Sequence, residues 1–103
     1  MRAPRRVVMT GLGVISPLGC DPKIFWHLLS QGMGGVAPIT SFDTSPFSSS
    51  LGAEVKDFDP LDFIPRKQAR RMGRVTHFAV GSAMMAVRDA RLNLDLEDRS
   101  EIG

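Results

Sequence analysis

Hydrophobic and polar positions sort into three patterns along the chain. Residues 6–15 open with Val7-Val8-Met9, which shows no polar alternation, and continue through Thr10-Gly11-Leu12-Gly13-Val14-Ile15. A strand apolar on both faces belongs in the middle of a sheet covered on both sides. This stretch therefore predicts a central strand running into a glycine turn, followed by a loop at Ser16-Pro17-Leu18-Gly19. The second pattern is a short amphipathic helix. Asp21 can cap it, Pro22 suits its first turn, and Ile24, Phe25, Leu28 and Leu29 share one face before Gly32 stops it. Residues 34–50, rich in Gly, Pro, Ser and Thr, read as loop. Residues 51–55 read as a short strand containing Gly52, and Phe58-Asp59-Pro60 starts a turn.

The third pattern is the longest. Residues 65 to about 92 predict one main helix, in which Ala69, Met72, Thr76, Ala79, Ala83, Ala86 and Ala90 recur at steps of three and four. Such a stripe of small residues lets another helix approach closely. Phe78, Val80, Met84, Met85 and Val87 cover the other sides, so the second half is apolar nearly all round and should be buried in a larger protein. Gly73 lowers helix stability by about 1 kcal/mol and marks an expected bend. A polar, acidic tail follows from residue 93.

Charge changes the picture more than composition does. The 103 residues are 43% apolar and 23% charged, the balance of a globular chain rather than a disordered one. No apolar run reaches the roughly 20 residues of a membrane span. No signal peptide or organellar presequence is read before Arg6, and the single Cys20 fits a reducing cytoplasm. Net charge is only +2, yet Arg66, Lys67, Arg70, Arg71 and Arg74 crowd into nine positions with no acid among them. On a helix Lys67, Arg70, Arg71 and Arg74 share one face. The alternative is a merely solvated face, but self-repulsion of an uncompensated cluster favours an anionic partner.

Other candidates are weaker. Gly11-Leu12-Gly13 lacks the third glycine of a dinucleotide fingerprint, since Ser16 stands there, and residues 31–35 hold no acid for a ribose. Cys20 has no recognisable base partner, and neighbouring Asp21 disfavours a thiolate. His27 and His77 lie fifty residues apart and with one cysteine form no metal set, so both read as helix-surface or packing residues. No cofactor is expected. The serines Ser48-Ser49-Ser50 could carry phosphate or bind an anion, but their setting reads as plain solvated loop.

At this point the ordered motifs resemble a known family. Arg5-Arg6-Val7-Val8-Met9-Thr10-Gly11-Leu12-Gly13-Val14-Ile15-Ser16-Pro17-Leu18-Gly19 closely resembles the N-terminus of the β-ketoacyl–acyl-carrier-protein synthases, the synthase II type above all. The likeness continues at Phe25-Trp26, Pro38-Ile39, Phe42-Asp43, Val55-Lys56-Asp57-Phe58-Asp59-Pro60 and Arg66-Lys67-Gln68-Ala69-Arg70-Arg71-Met72. It covers essentially the whole chain. It implies an α/β, thiolase-like fold, with residues 1–103 forming an incomplete N-terminal part of the ketoacyl synthase N-terminal domain. The implied reaction is decarboxylative Claisen condensation of an acyl thioester with malonyl–acyl carrier protein in fatty-acid elongation, by a homodimeric acyltransferase. The family's nucleophilic cysteine and its histidines lie in later motifs, so no catalytic residue and no independent activity are expected here. In the family the residues matching Lys67, Arg70 and Arg71 help to dock the acidic acyl carrier protein; the charge pattern of this chain adds Arg66 and Arg74 as rim contributors. The family usually has an aspartate where this chain has Gly73, which implies loss of a local acidic partner.

A polyketide ketosynthase subunit is the nearest alternative. A small nucleic-acid-binding module is a third reading, but no aromatic residue accompanies the basic residues 66–74. A self-sufficient structural domain would unfold cooperatively, whereas the unpartnered apolar helix and strand point to aggregation or a partly molten state.

Overall fold

A computed structural model of the chain describes residues 2–102, and it is mixed α/β with little strand. In chain order the elements are α1 (Pro22–Ser30), β1 (Ala37–Pro38), β2 (Leu51–Gly52), α2 (Arg66–Ala69) and α3 (Arg74–Asp89), with 3₁₀ turns at Pro60–Asp62 and Arg99–Glu101. Helix α1 begins and ends where the sequence places it. The Asp21 carboxylate accepts from the Lys23 and Ile24 amides at 2.7 and 3.3 Å. At the other end Gly32 takes φ +74, its amide donates to the Leu29 carbonyl, and the Met33 amide donates to Leu28. These paired bonds satisfy carbonyls that the last helical turn leaves open.

The expected central strand is the first correction. Residues 6–15 are in no ladder, and Val7 and Met9 are 91% and 88% exposed. A strand needs neighbours on its edges, and among the described residues the one sheet is the two-stranded β1–β2 pair. What fixes the segment instead is contact with α3. The Leu12 amide donates to the Asp89 carboxylate at 2.9 Å. A Cβ at Gly11 would lie 2.2 Å from the Ala86 carbonyl oxygen, and one at Gly13 would lie 1.9 Å from that of Ser82. The small residues of α3 thus admit an extended glycine segment, rather than the second helix expected. Only Ala86 and Ala90 of the expected stripe take part, joined by Ser82; Ala79 and Ala83 stay exposed.

The second correction concerns the long helix. It is two helices, broken at Gly73, whose ψ of 166 is extended. The residues between them, Arg70 to Met72, form a turn. Ala69 and Met72 therefore belong to a different helical phase from Ala79 onward.

Residues 34–50 are not wholly loop. Ala37 pairs with Gly52 and Pro38 with Leu51 in antiparallel register. The Ile39 amide extends the pair to the Ser50 carbonyl at 2.8 Å. Glu54 ties the start of this loop down. Its carboxylate accepts from the Thr40 amide and hydroxyl and from the Ser41 amide, at 2.9, 3.2 and 3.1 Å. The Ser41 side chain and the Thr40 amide, together with the Ser41 amide and Thr40 hydroxyl, hold the Glu54 carboxyl down from 4.5 to about 2. A lowered value means the ionised form favours the folded loop above about pH 4.5, and that support is lost as pH falls through about 2. An NMR titration of the Glu54 side chain should give a midpoint near 2, with the Thr40 and Ser41 amide shifts moving in step. A midpoint near 4.5 would show the loop untethered.

The core lies under α2 and α3. Phe58, Ile64 and Ala69 are 7%, 4% and 7% exposed. The Phe58 ring stacks on Phe63 at 5.9 Å and meets Phe78 edge-on at 5.5 Å. Gly81 faces this cluster, since a Cβ there would lie 2.8 Å from the Phe58 ring and 3.1 Å from Ile15. The accessible surface of 8698 Å² exceeds the roughly 5,700 Å² of a compact monomer of 11.3 kDa. The radius of gyration, 17.8 Å, likewise exceeds the roughly 13 Å of a compact 100-residue domain.

Candidate functional site

The basic residues 66–71 form the strongest candidate. Pro65 precedes α2, and its carbonyl accepts the Gln68 and Ala69 amides, each at 2.9 Å. The helical path continues past Ala69, with Arg70 donating to Arg66 at 3.1 Å and Arg71 to Gln68 at 3.0 Å. Steps of three and four along this path put Lys67, Arg70 and Arg71 on one face. Ala69 points the opposite way, into the core. All three basic residues are exposed, as is Arg66. Among the described residues the ion pair within 4.0 Å is Arg99 with Asp95, which involves none of these residues. The cluster is therefore an uncompensated positive platform held on a buried alanine.

Arg74 does not join it as the single-helix reading implied. Its guanidinium lies 4.7 Å from the Phe78 ring centre and 5.7 Å from that of Phe58, and it donates to the Val55 carbonyl at 3.1 Å. A cation over aromatic faces is attracted by the ring quadrupole. That contact gives the charge a partner at the first position of α3, where the helix dipole disfavours it.

His77 is more than a surface or packing residue. Its Nε2 lies 2.8 Å from the Ala69 carbonyl oxygen. A carbonyl only accepts, so Nε2 carries the proton and donates, and Nδ1 is buried without a hydrogen-bond partner among the described residues. The bond links α3 back to α2 across Gly73. The only hint in the sequence is the histidine four residues after that helix break.

The remaining candidates stay apart. Cys20 is free and half-buried, in the wall of an open cleft of about 350 Å³ with Leu12, Phe63, Met85, Arg88 and Asp89, and no histidine lines that cleft. His27 is exposed on α1. Gly11 and Gly13 are filled by the backbone of α3, and no helix starts directly after them to face a pyrophosphate. Ser48 to Ser50 lie exposed beside β2, where the Ser49 hydroxyl accepts the Leu51 amide at 3.3 Å. Among the described residues no three His, Cys, Asp or Glu side chains gather where they could hold a metal ion. No helix there is long and apolar enough to cross a membrane.

Residues 4–103 match the family model described as the beta-ketoacyl synthase N-terminal domain. The chain is 46% identical over 99 residues to a 3-oxoacyl-[acyl-carrier-protein] synthase 2 of Synechocystis sp., covering 96% of this chain and 24% of that protein. It is 42% identical over 103 residues to the protein of the same name from Staphylococcus aureus strain COL, covering all of this chain and 25% of that one. The chain thus spans about a quarter of the length of these relatives. Among solved structures it is similar to the ishigamide ketosynthase/chain length factor, at TM-score 0.78 and 43% identity, over 90% of this chain and 23% of that one.

Proposed function

Because the chain belongs to the β-ketoacyl synthase family, we propose that it forms the N-terminal part of a 3-oxoacyl-[acyl-carrier-protein] synthase and supplies part of the carrier-protein dock. The reaction is a decarboxylative Claisen condensation in fatty-acid elongation. An acyl group is held as a thioester on the enzyme, malonyl–carrier protein loses CO₂, and the carbanion attacks the thioester carbonyl. The carbon–sulfur bond then breaks and the enzyme thiolate leaves.

The observation that carries the docking role is the exposed face of Lys67, Arg70 and Arg71, which has no acidic partner within 4.0 Å among the described residues. Acidic carrier protein is the partner that such a face would steer, raising the rate of encounter. In this reading Cys20, His27 and His77 take no part in acyl transfer; Cys20 lies in a cleft that no described histidine lines. The chain's large exposed apolar surface supports its packing against further elements of a thiolase-like fold. The 103 residues alone are then inactive.

The test is a condensation assay on the protein that carries this chain, following CO₂ release and 3-oxoacyl–carrier protein together. Both should appear in equal amounts with malonyl–carrier protein and an acyl donor. The purified 103-residue chain should produce neither, and turnover by it would sink the assignment of catalysis elsewhere. The likeness to a ketosynthase/chain length factor gives a second reading, a polyketide ketosynthase. Without reducing enzymes, one condensation per acyl group supports the first reading and repeated condensation the second.

A further inference from the structure

We infer that His77 is a positioning residue for carrier-protein docking, because it holds the basic platform rigid from beneath across the Gly73 break. The inference rests on the docking role of Lys67, Arg70 and Arg71. Helix α2 has four residues and no side-chain cap, too short to persist by its own hydrogen bonds. Three things hold it in place: packing against the turn at Pro60–Asp62, Ala69 in the core, and what binds the Ala69 carbonyl. That carbonyl accepts the Met72 amide at 3.2 Å and His77 Nε2–H at 2.8 Å, so both lone pairs are used.

The imidazole is itself anchored. His77 sits in the first turn of α3, its own amide donating to Gly73 at 3.1 Å. A sixteen-residue helix thus fixes the orientation of a four-residue one. Successive residues of a helix advance by about 100°, so Ala69 lies nearly opposite the mean direction of Lys67, Arg70 and Arg71. The imidazole therefore never meets the partner, yet it sets the angle at which three cations are presented. Electrostatic docking is sensitive to that orientation, because the encounter needs specific patches to align.

The test compares His77→Leu, His77→Gln and Lys67→Glu/Arg70→Glu/Arg71→Glu in the protein that carries this chain. Each is assayed with malonyl–carrier protein and with malonyl–coenzyme A, which has no acidic domain to dock. His77→Leu keeps bulk but removes the donor, and losing one hydrogen bond should raise the carrier-protein KM about 3- to 10-fold. kcat and the coenzyme A KM should stay at the wild-type values. His77→Gln can offer an N–H to Ala69 and should restore the carrier-protein KM. Hydrogen exchange at the Arg70 and Arg71 amides should quicken in His77→Leu and recover in His77→Gln. Equal losses with both substrates would mean a general structural role and overturn the inference. An unchanged carrier-protein KM in His77→Leu, while the triple variant is impaired, would overturn it and leave docking intact. No effect in the triple variant would remove docking and the inference with it.

Discussion

Gly13→Ala is expected to destabilise the protein by about 3 kcal/mol. The added methyl would lie 1.9 Å from the Ser82 carbonyl oxygen, 2.9 Å from the Ser82 carbonyl carbon and 3.0 Å from Met85 Cβ. The nearest of these is backbone in the middle of a sixteen-residue helix, so no flexible side chain can yield. Residues 11–15 would have to lift off α3. That would strain the bond from the Leu12 amide to Asp89 and pull Ile15 from beside Gly81. Gly34→Ala is the matched control, since nothing lies within 4 Å of its added methyl. It should be neutral or slightly stabilising through the unfolded chain. Denaturant unfolding of both variants in the protein that carries this chain checks this, and equal midpoints would disprove the close packing.

The same glycines show how far the sequence could be read. Their presence after an apolar run was visible, but their purpose was not. Ser16 in place of a third glycine already disfavoured phosphate binding, but which backbone the glycines approach is given only by the positions of Ser82 and Ala86. Local chemistry was the most legible. Asp21-Pro22 and Gly32 mark the ends of α1 because capping acts within a few residues. Gly73 marked the expected bend but not its size, because the helical period continues on both sides of the break. The strand at residues 6–15 was legible as an intrinsic preference, yet a ladder needs partners that the described residues do not supply. The basic face was legible as charge. Arg74 was misplaced in it because its aromatic neighbours, Phe58 and Phe78, are distant or turned in ways that spacing alone does not give.

Lys67→Glu/Arg70→Glu/Arg71→Glu should weaken use of carrier protein about 100-fold in KM, with kcat nearly unchanged. Each reversal removes one attraction and adds one repulsion at a partly solvated face, on the order of 1 kcal/mol apiece. Three together come to about 3 kcal/mol, and each 1.4 kcal/mol is about tenfold in affinity. Stability should hardly change, because the three side chains are exposed and make no ion pair with described residues. Arg74→Ala should behave differently. It removes a cation from above Phe78 and a bond to Val55, so it should cost stability of the order of 1 kcal/mol with less effect on carrier affinity.

The most direct measurement is the affinity of acidic carrier protein for the protein carrying this chain, followed as salt rises. Screening shortens the reach of charge from about 30 Å at about 0.01 M to about 8 Å at about 0.15 M. With the basic face intact, affinity should fall at least about tenfold across that range. With Lys67, Arg70 and Arg71 reversed it should start weak and stay level or rise as screening relieves the added repulsion, the two curves converging at high salt. Parallel curves of equal slope, or a wild-type affinity indifferent to salt, would contradict a carrier-protein dock at α2.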